Sequence, residues 1–211
     1  ANTSLSCVRC TISGNREGIR IDSSDVDLSD TDVNSNDLAG EFSDGILVLQ
    51  NSSLTSDGGS ISNNGNLGIR ANWSSSIVVR GTRIESNGAY GIQMYNASSG
   101  DLSDAYVNQN MGFGIELGGN SALEMYGGAV NENHGDGVWV SDHSMLRLHD
   151  TTITANTGHG INISRDGGVV TYGSTAVHGN YSNVEVACVG EEASIEVADE
   201  SWVDSLDCSG F

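Results

Sequence analysis

The chain contains no proline and no lysine. Without proline, every tight turn must be built from residues that tolerate unusual backbone angles, and Gly, Asn, Asp and Ser supply them. Without lysine, all eight basic residues are arginine, set against 28 Asp and Glu, for a formal net charge of −20. A surface this acidic repels phosphates, which argues against nucleic acid as a partner. It also stays soluble at high salt, where screening removes self-repulsion; a saline habitat and a biased repeat composition both account for it. No apolar run approaches the length of a membrane span. No leader segment is legible, as expected of a mature secreted chain. Cysteine is missing from the whole middle of the chain: Cys7, Cys10, Cys188 and Cys208 sit near the two ends. That placement suits staples on the end segments 1–10 and 188–211 in an extracellular, oxidising setting, with three pairings open. A zinc site is disfavoured, because the two cysteine pairs would lie far apart along a rod.

What is present is a repeat. An aliphatic residue followed three positions later by Asn recurs as Ile12/Asn15, Val33/Asn36, Ile61/Asn64, Ile84/Asn87, Val107/Asn110, Val130/Asn133, Ile153/Asn156 and Val177/Asn180. From Ile61 to Ile153 the step is 23 residues each time. Downstream of each Asn comes Gly and an aliphatic residue, from Gly18-Ile19 and Gly45-Ile46 to Gly160-Ile161, with Asn183-Val184 as the eighth copy. Each repeat carries three short alternating runs, for example Leu123-Glu124-Met125, Ala129-Val130-Asn131 and Val138-Trp139-Val140. Alternation with period two marks strands, and no window has the apolar spacing of a helix. The chain therefore reads as one all-β domain, residues 1–211, coiled into about eight to nine three-stranded turns. Side chains at equal positions in successive turns stack, so the asparagines should form a buried hydrogen-bonded ladder at one corner.

On these repeats the sequence resembles the pectin-lyase-like right-handed parallel β-helix superfamily over about residues 5–206. The resemblance implies the fold. Its members include polysaccharide lyases, hydrolases and epimerases, phage tailspikes, adhesins and non-catalytic surface proteins, so it leaves the activity open. Enzymes of this kind place reactive groups on an outward strand face. After each Gly the outward residues read as Arg20, Leu47, Arg70, Gln93, Glu116, Trp139, Asn162 and Glu185, in which Arg70, Gln93, Glu116 and Trp139 form a stripe able to touch a sugar. The strand before the Asn corner presents Asp101, Glu124, Arg147 and Thr171, among others. Asp101 and Glu124 fall one turn apart, where like charges raise one pKa.

Other features are local. Residues 37–44 insert a bulge in the second turn. Beside it, Asp25, Asp27, Asp30 and Asp32 alternate in an oxygen-rich run that can hold Ca²⁺. Asn2, Asn51, Asn72, Asn96 and Asn162 lie in glycosylation sequons, and Asn180 lies in another but belongs to the inward ladder. His134 and His159 could meet at one edge. No catalytic constellation assembles from these residues, and no cofactor is required. With minimal loops and no helix to cover either end, the sequence reads either as a piece of a longer solenoid or, as the leading expectation, as a non-enzymatic, secreted solenoid that stacks head to tail with copies of itself into a filament or surface array. The alternatives are a carbohydrate-binding or carbohydrate-active β-helix of the lyase or hydrolase kind, or a module of an adhesin or phage fibre.

Overall fold

A computed structural model describes residues 3–37, 43–182, 184–189, 193–197 and 201–208. Within them the chain winds as a parallel β-solenoid. Three nine-stranded sheets each take every third strand in sequence order, and every pairing is parallel. The first sheet begins with Ser4–Val8, the second with Thr11–Ser13 and the third with Ile19–Asp22.

The register explains the alternation. Val33, Ile61, Ile84, Val107, Val130, Ile153 and Val177 lie one above another through the second sheet. Ile46, Ile69, Ile92, Ile115, Val138 and Ile161 do the same through the third. All of these side chains are buried. β-Branched residues suit a pleated surface, and stacking like on like fills a narrow core without large aromatic groups.

Each corner carries its own polar column. Between the second and third sheets run the asparagines. Asn87 Nδ2 donates to Asn110 Oδ1 at 2.9 Å, and Asn110 Nδ2 donates to Asn133 Oδ1 at 3.0 Å. The same link joins Asn15, Asn36, Asn64, Asn133, Asn156 and Asn180 to their neighbours. Between the third and first sheets the amides of Ser75, Ser98 and Ser121 each donate to the serine hydroxyl of the next turn, ending at Ser144. Between the first and second sheets stand buried Thr31, Thr82, Thr151 and Thr175. Here the turn residue is left-handed: Arg9 in the first turn, and after it either Asp (Asp30, Asp104, Asp150) or Gly (Gly58, Gly81, Gly127, Gly173). Asp and Gly are residues that accept that conformation.

Two expected positions are corrected. Glu185 is not an outward member of the third sheet, because that strand resumes at Val186, opposite Ile161, and Ala187 sits opposite Asn162. Glu185 is instead buried and closes the ladder, its Oε2 accepting from Asn180 Nδ2 at 2.5 Å. Val184 therefore does not open the eighth repeat's strand, and Asn183 lies outside the described residues. Thr171 faces inward against Leu148, and Val170 takes the outward place beside Arg147. The first sheet keeps its step of 23 residues at Leu148 and Thr171, so Thr171 falls in the inward column, whereas the step lengthens to 24 from Thr152 to Ala176 and to 25 from Ile161 to Val186, which leaves Glu185 before the strand.

The cysteines pair within each end segment, Cys7 with Cys10 and Cys188 with Cys208. Two disulfides fit an oxidising setting. The second links residues 20 apart in sequence, and chain entropy alone gives such a link about 3 kcal/mol. In a solenoid that stability is local to neighbouring turns. The Cys188→Ser/Cys208→Ser variant should thus lose hydrogen-exchange protection beyond Val186 while the turns around Asn110 keep theirs. Equal loss along the whole rod would contradict this.

Candidate functional site

The outward face of the third sheet carries a cavity of about 680 Å³ lined by Arg16, Glu17, Arg20, Leu47, Leu49, Arg70, Asn72 and Trp73. Its floor and walls come from three successive strands, in which Arg20 pairs with Leu47 and Leu47 with Arg70. Leu47 and Leu49 point outward yet are 6% and 5% exposed, which gives the groove an apolar floor. Trp73, at the left-handed corner after the third strand, is 50% exposed. It offers an amphipathic ring at the groove's rim.

The arginines are held differently. Arg70 is fixed: its Nε lies 3.0 Å from Oδ2 of buried Asp44, which also accepts from Asn66 Nδ2 at 2.8 Å and from the Leu67 amide at 3.2 Å. Arg20 is looser, 54% exposed, with its Nη1 4.0 Å from Glu17 Oε2. Burial pushes the Glu17 carboxyl above the usual carboxylate range; Asp44 adds to this, while Arg20, Arg16 and Arg70 oppose it.

Further along the same face, Gln93, Glu116 and Trp139 continue the column below Arg70. Register brings the four together, but the chemistry divides them. Arg70 turns to Asp44, whereas Glu116 is buried and accepts from Gln93 Nε2 at 2.6 Å and Tyr95 Oη at 2.7 Å. Burial, then the bond to Glu116, pushes the Tyr95 phenol up. Tyr90 stacks on Phe113, and Phe113 meets Trp139 edge-on, with ring centres 4.9 and 5.2 Å apart. The lower part of the stripe is thus a closed polar and aromatic network. Sequence reading singled out Arg70 but not Arg16, Glu17 or Trp73. The signal was the Arg16-Glu17-Gly18-Ile19-Arg20 run, which sets Arg16 and Glu17 beside the column that Arg20 shares with Arg70.

The other expected sites fare unevenly. Asp25 and Asp27 lie on the first sheet, Asp32 on the second and Asp30 at the corner between them. Asp25 and Asp32 instead accept from Ser53 and Ser60 at 2.6 and 2.7 Å. The four aspartates are therefore not gathered into one shell. Among the described residues no group of three or more His, Cys, Asp and Glu is disposed to hold a metal ion. Asp101 and Glu124 are in register, as adjacent strand positions. Glu124 does not rise, however: hydrogen bonds from Tyr126 and then His149 hold its carboxyl below the usual range. The His149 ring stacks between Tyr126 and Tyr172 at 4.5 and 4.4 Å. The His159 ring reaches Val184 O and Ser182 Oγ.

Of the sequon asparagines, Asn51 and Asn96 are exposed. Asn72 Oδ1 accepts from Asn96 Nδ2 at 2.7 Å, and Asn162 Nδ2 donates to Asp136 at 2.9 Å. Asn180 is buried. Asn2 lies outside the described residues, as does the 38–42 part of the 37–44 bulge. Among the described residues no helix is long and apolar enough to cross a membrane.

The family model described as the right handed beta helix region matches residues 1–148 and 44–201. No curated protein matches significantly. Among solved structures, the chain is similar to the A-module of the mannuronan C-5 epimerase AlgE4 of Azotobacter vinelandii, at 13% identity and a TM-score of 0.41. The match covers 89% of this chain and 72% of that one.

Proposed function

This chain belongs to the right-handed β-helix family, and from that premise we propose that it is an extracellular carbohydrate-binding solenoid that holds an acidic glycan in the groove of its third sheet. One observation supports this above the others: three of the eight arginines of a chain with net charge −20 line a single cavity. A polyanion is repelled by the rest of this surface, and screening beyond about 8 Å at physiological salt confines its attraction to such a cluster. Arginine's planar fork matches carboxylate and sulfate oxygens. Leu47, Leu49 and Trp73 supply apolar and aromatic surface for the sugar ring's C–H face.

The reading is binding and not turnover. Glycoside hydrolysis needs two carboxyl groups free to act on one bond. Here Asp44 is committed to Arg70, Asn66 and Leu67. End-to-end assembly ranks below it: exposed Leu5, Val8, Trp202 and Leu206 are what the terminal turns of any solenoid show, and they name no partner.

Titration with oligouronates tests the proposal. Arg16→Ala and Arg20→Ala should each weaken binding about ten-fold or more, the worth of one charge-assisted hydrogen bond. Arg147→Ala, on the first sheet, should leave it unchanged. Binding that ignores both groove arginines would overturn the reading, as would no binding by the wild-type chain.

A further inference from the structure

Within the groove, Glu17 stands where an anionic ligand would. It lines the same cavity as Arg16, Arg20 and Arg70, is 22% exposed, and its Oε2 is 4.0 Å from the Arg20 guanidinium. The other carboxylate nearby, Asp44, cannot change partner without leaving a buried charge uncompensated, since it is anchored by Asn66, Leu67 and Arg70. Among the described residues Glu17 has no such anchor: its ion pair with Arg20 is long, half-solvated and within its own turn.

We infer that Glu17 is a built-in competitor for the groove, an internal carboxylate that occupies the Arg16/Arg20 cluster until acid or a stronger anion displaces it. This rests on the reading of the groove as an anion site and adds its regulation. The charged groups facing Glu17 are Arg16 and Arg20 from its own turn, Asp44 from the corner of the second turn and Arg70 from the third. Burial makes Glu17 take up its proton at a higher pH than a free carboxyl, so acidification neutralises it early. Once neutral, it no longer cancels an arginine, and the groove becomes a stronger anion site. None of the five histidines lines the cavity, so their protonation adds only diffuse charge.

The test is binding of a sulfated dextran oligosaccharide, whose charge is constant across the range, at about pH 7.5 and about pH 5. The wild-type chain should bind about two- to five-fold tighter at the lower pH, the size of one exposed ion pair released. Glu17→Gln should bind tighter than the wild type at the higher pH, with its pH dependence flattened. If Glu17→Gln binds no tighter at about pH 7.5, or keeps the wild-type pH slope, the inference fails while the groove reading stands. If neither chain binds sulfated dextran or oligouronates at either pH, both fail.

Discussion

Asn110→Ala lowers the stability of the chain by about 3–5 kcal/mol, a loss large enough to be diagnostic. Asn110 Oδ1 accepts from the Asn87 backbone amide at 3.1 Å and from Asn87 Nδ2 at 2.9 Å. Its Nδ2 donates to Ile84 O at 3.1 Å and to Asn133 Oδ1 at 3.0 Å. All of these groups are buried, so truncation strands donors and acceptors on both adjacent turns where no water replaces them. Asn110→Asp should do no better, because a carboxylate cannot donate and would be charged in the core. Asn131→Ala, on the outward side of the second sheet, should cost less than about 0.5 kcal/mol. Urea unfolding gives the comparison, read as midpoint shifts at unchanged slope. Equal losses for Asn110→Ala and Asn131→Ala would show that the ladder does not stabilise the stack.

Gly128→Ala is the second large effect. Gly128 is left-handed at φ +70°, and a Cβ there would lie 2.1 Å from the carbonyl oxygen of Ala105. The left-handed angle costs alanine about 1–2 kcal/mol. The clash is with backbone, which can yield only by separating two turns, and such overpacking adds about 1–3 kcal/mol. The sum is about 2–5 kcal/mol. Gly81→Ala isolates the first contribution, since Gly81 has φ +56° and nothing within 4 Å of its added Cβ. It should cost about 1 kcal/mol. If the two variants were equally stable, close approach of the turns would have no energetic weight.

The fold was legible because its physics repeats. A 23-residue step with Val or Ile three residues before Asn can be built only if each turn lies over the last, and the ladder follows from that geometry. The serine column was just as regular, with Ser52, Ser75, Ser98, Ser121 and Ser144 at the same interval. It escaped notice because serine is common throughout the chain. The errors came where the interval changed. The first sheet held its 23-residue step through Thr171, which therefore faces inward, and two extra residues between Thr171 and Val186 moved Glu185 from the sheet to the ladder's end. The groove was only half legible. Periodicity placed Arg20, Leu47 and Arg70 in one outward column, but could not say that Arg70 would turn up toward Asp44 and not down toward Gln93. Nor could it show that Glu116, the carboxylate at the centre of the expected stripe, is spoken for by Gln93 and Tyr95. Column membership is set by the backbone; a long side chain's direction is set by which partner is buried.

Eight arginines are few enough to follow one by one. With the arginine side chains isotopically labelled, their Nε–Hε resonances can be recorded while an oligouronate is added. The account predicts saturable shifts at Arg16, Arg20 and Arg70, with Arg9, Arg80, Arg83, Arg147 and Arg165 unmoved. Shifts spread evenly over all eight, or confined to arginines outside the third-sheet groove, would contradict it.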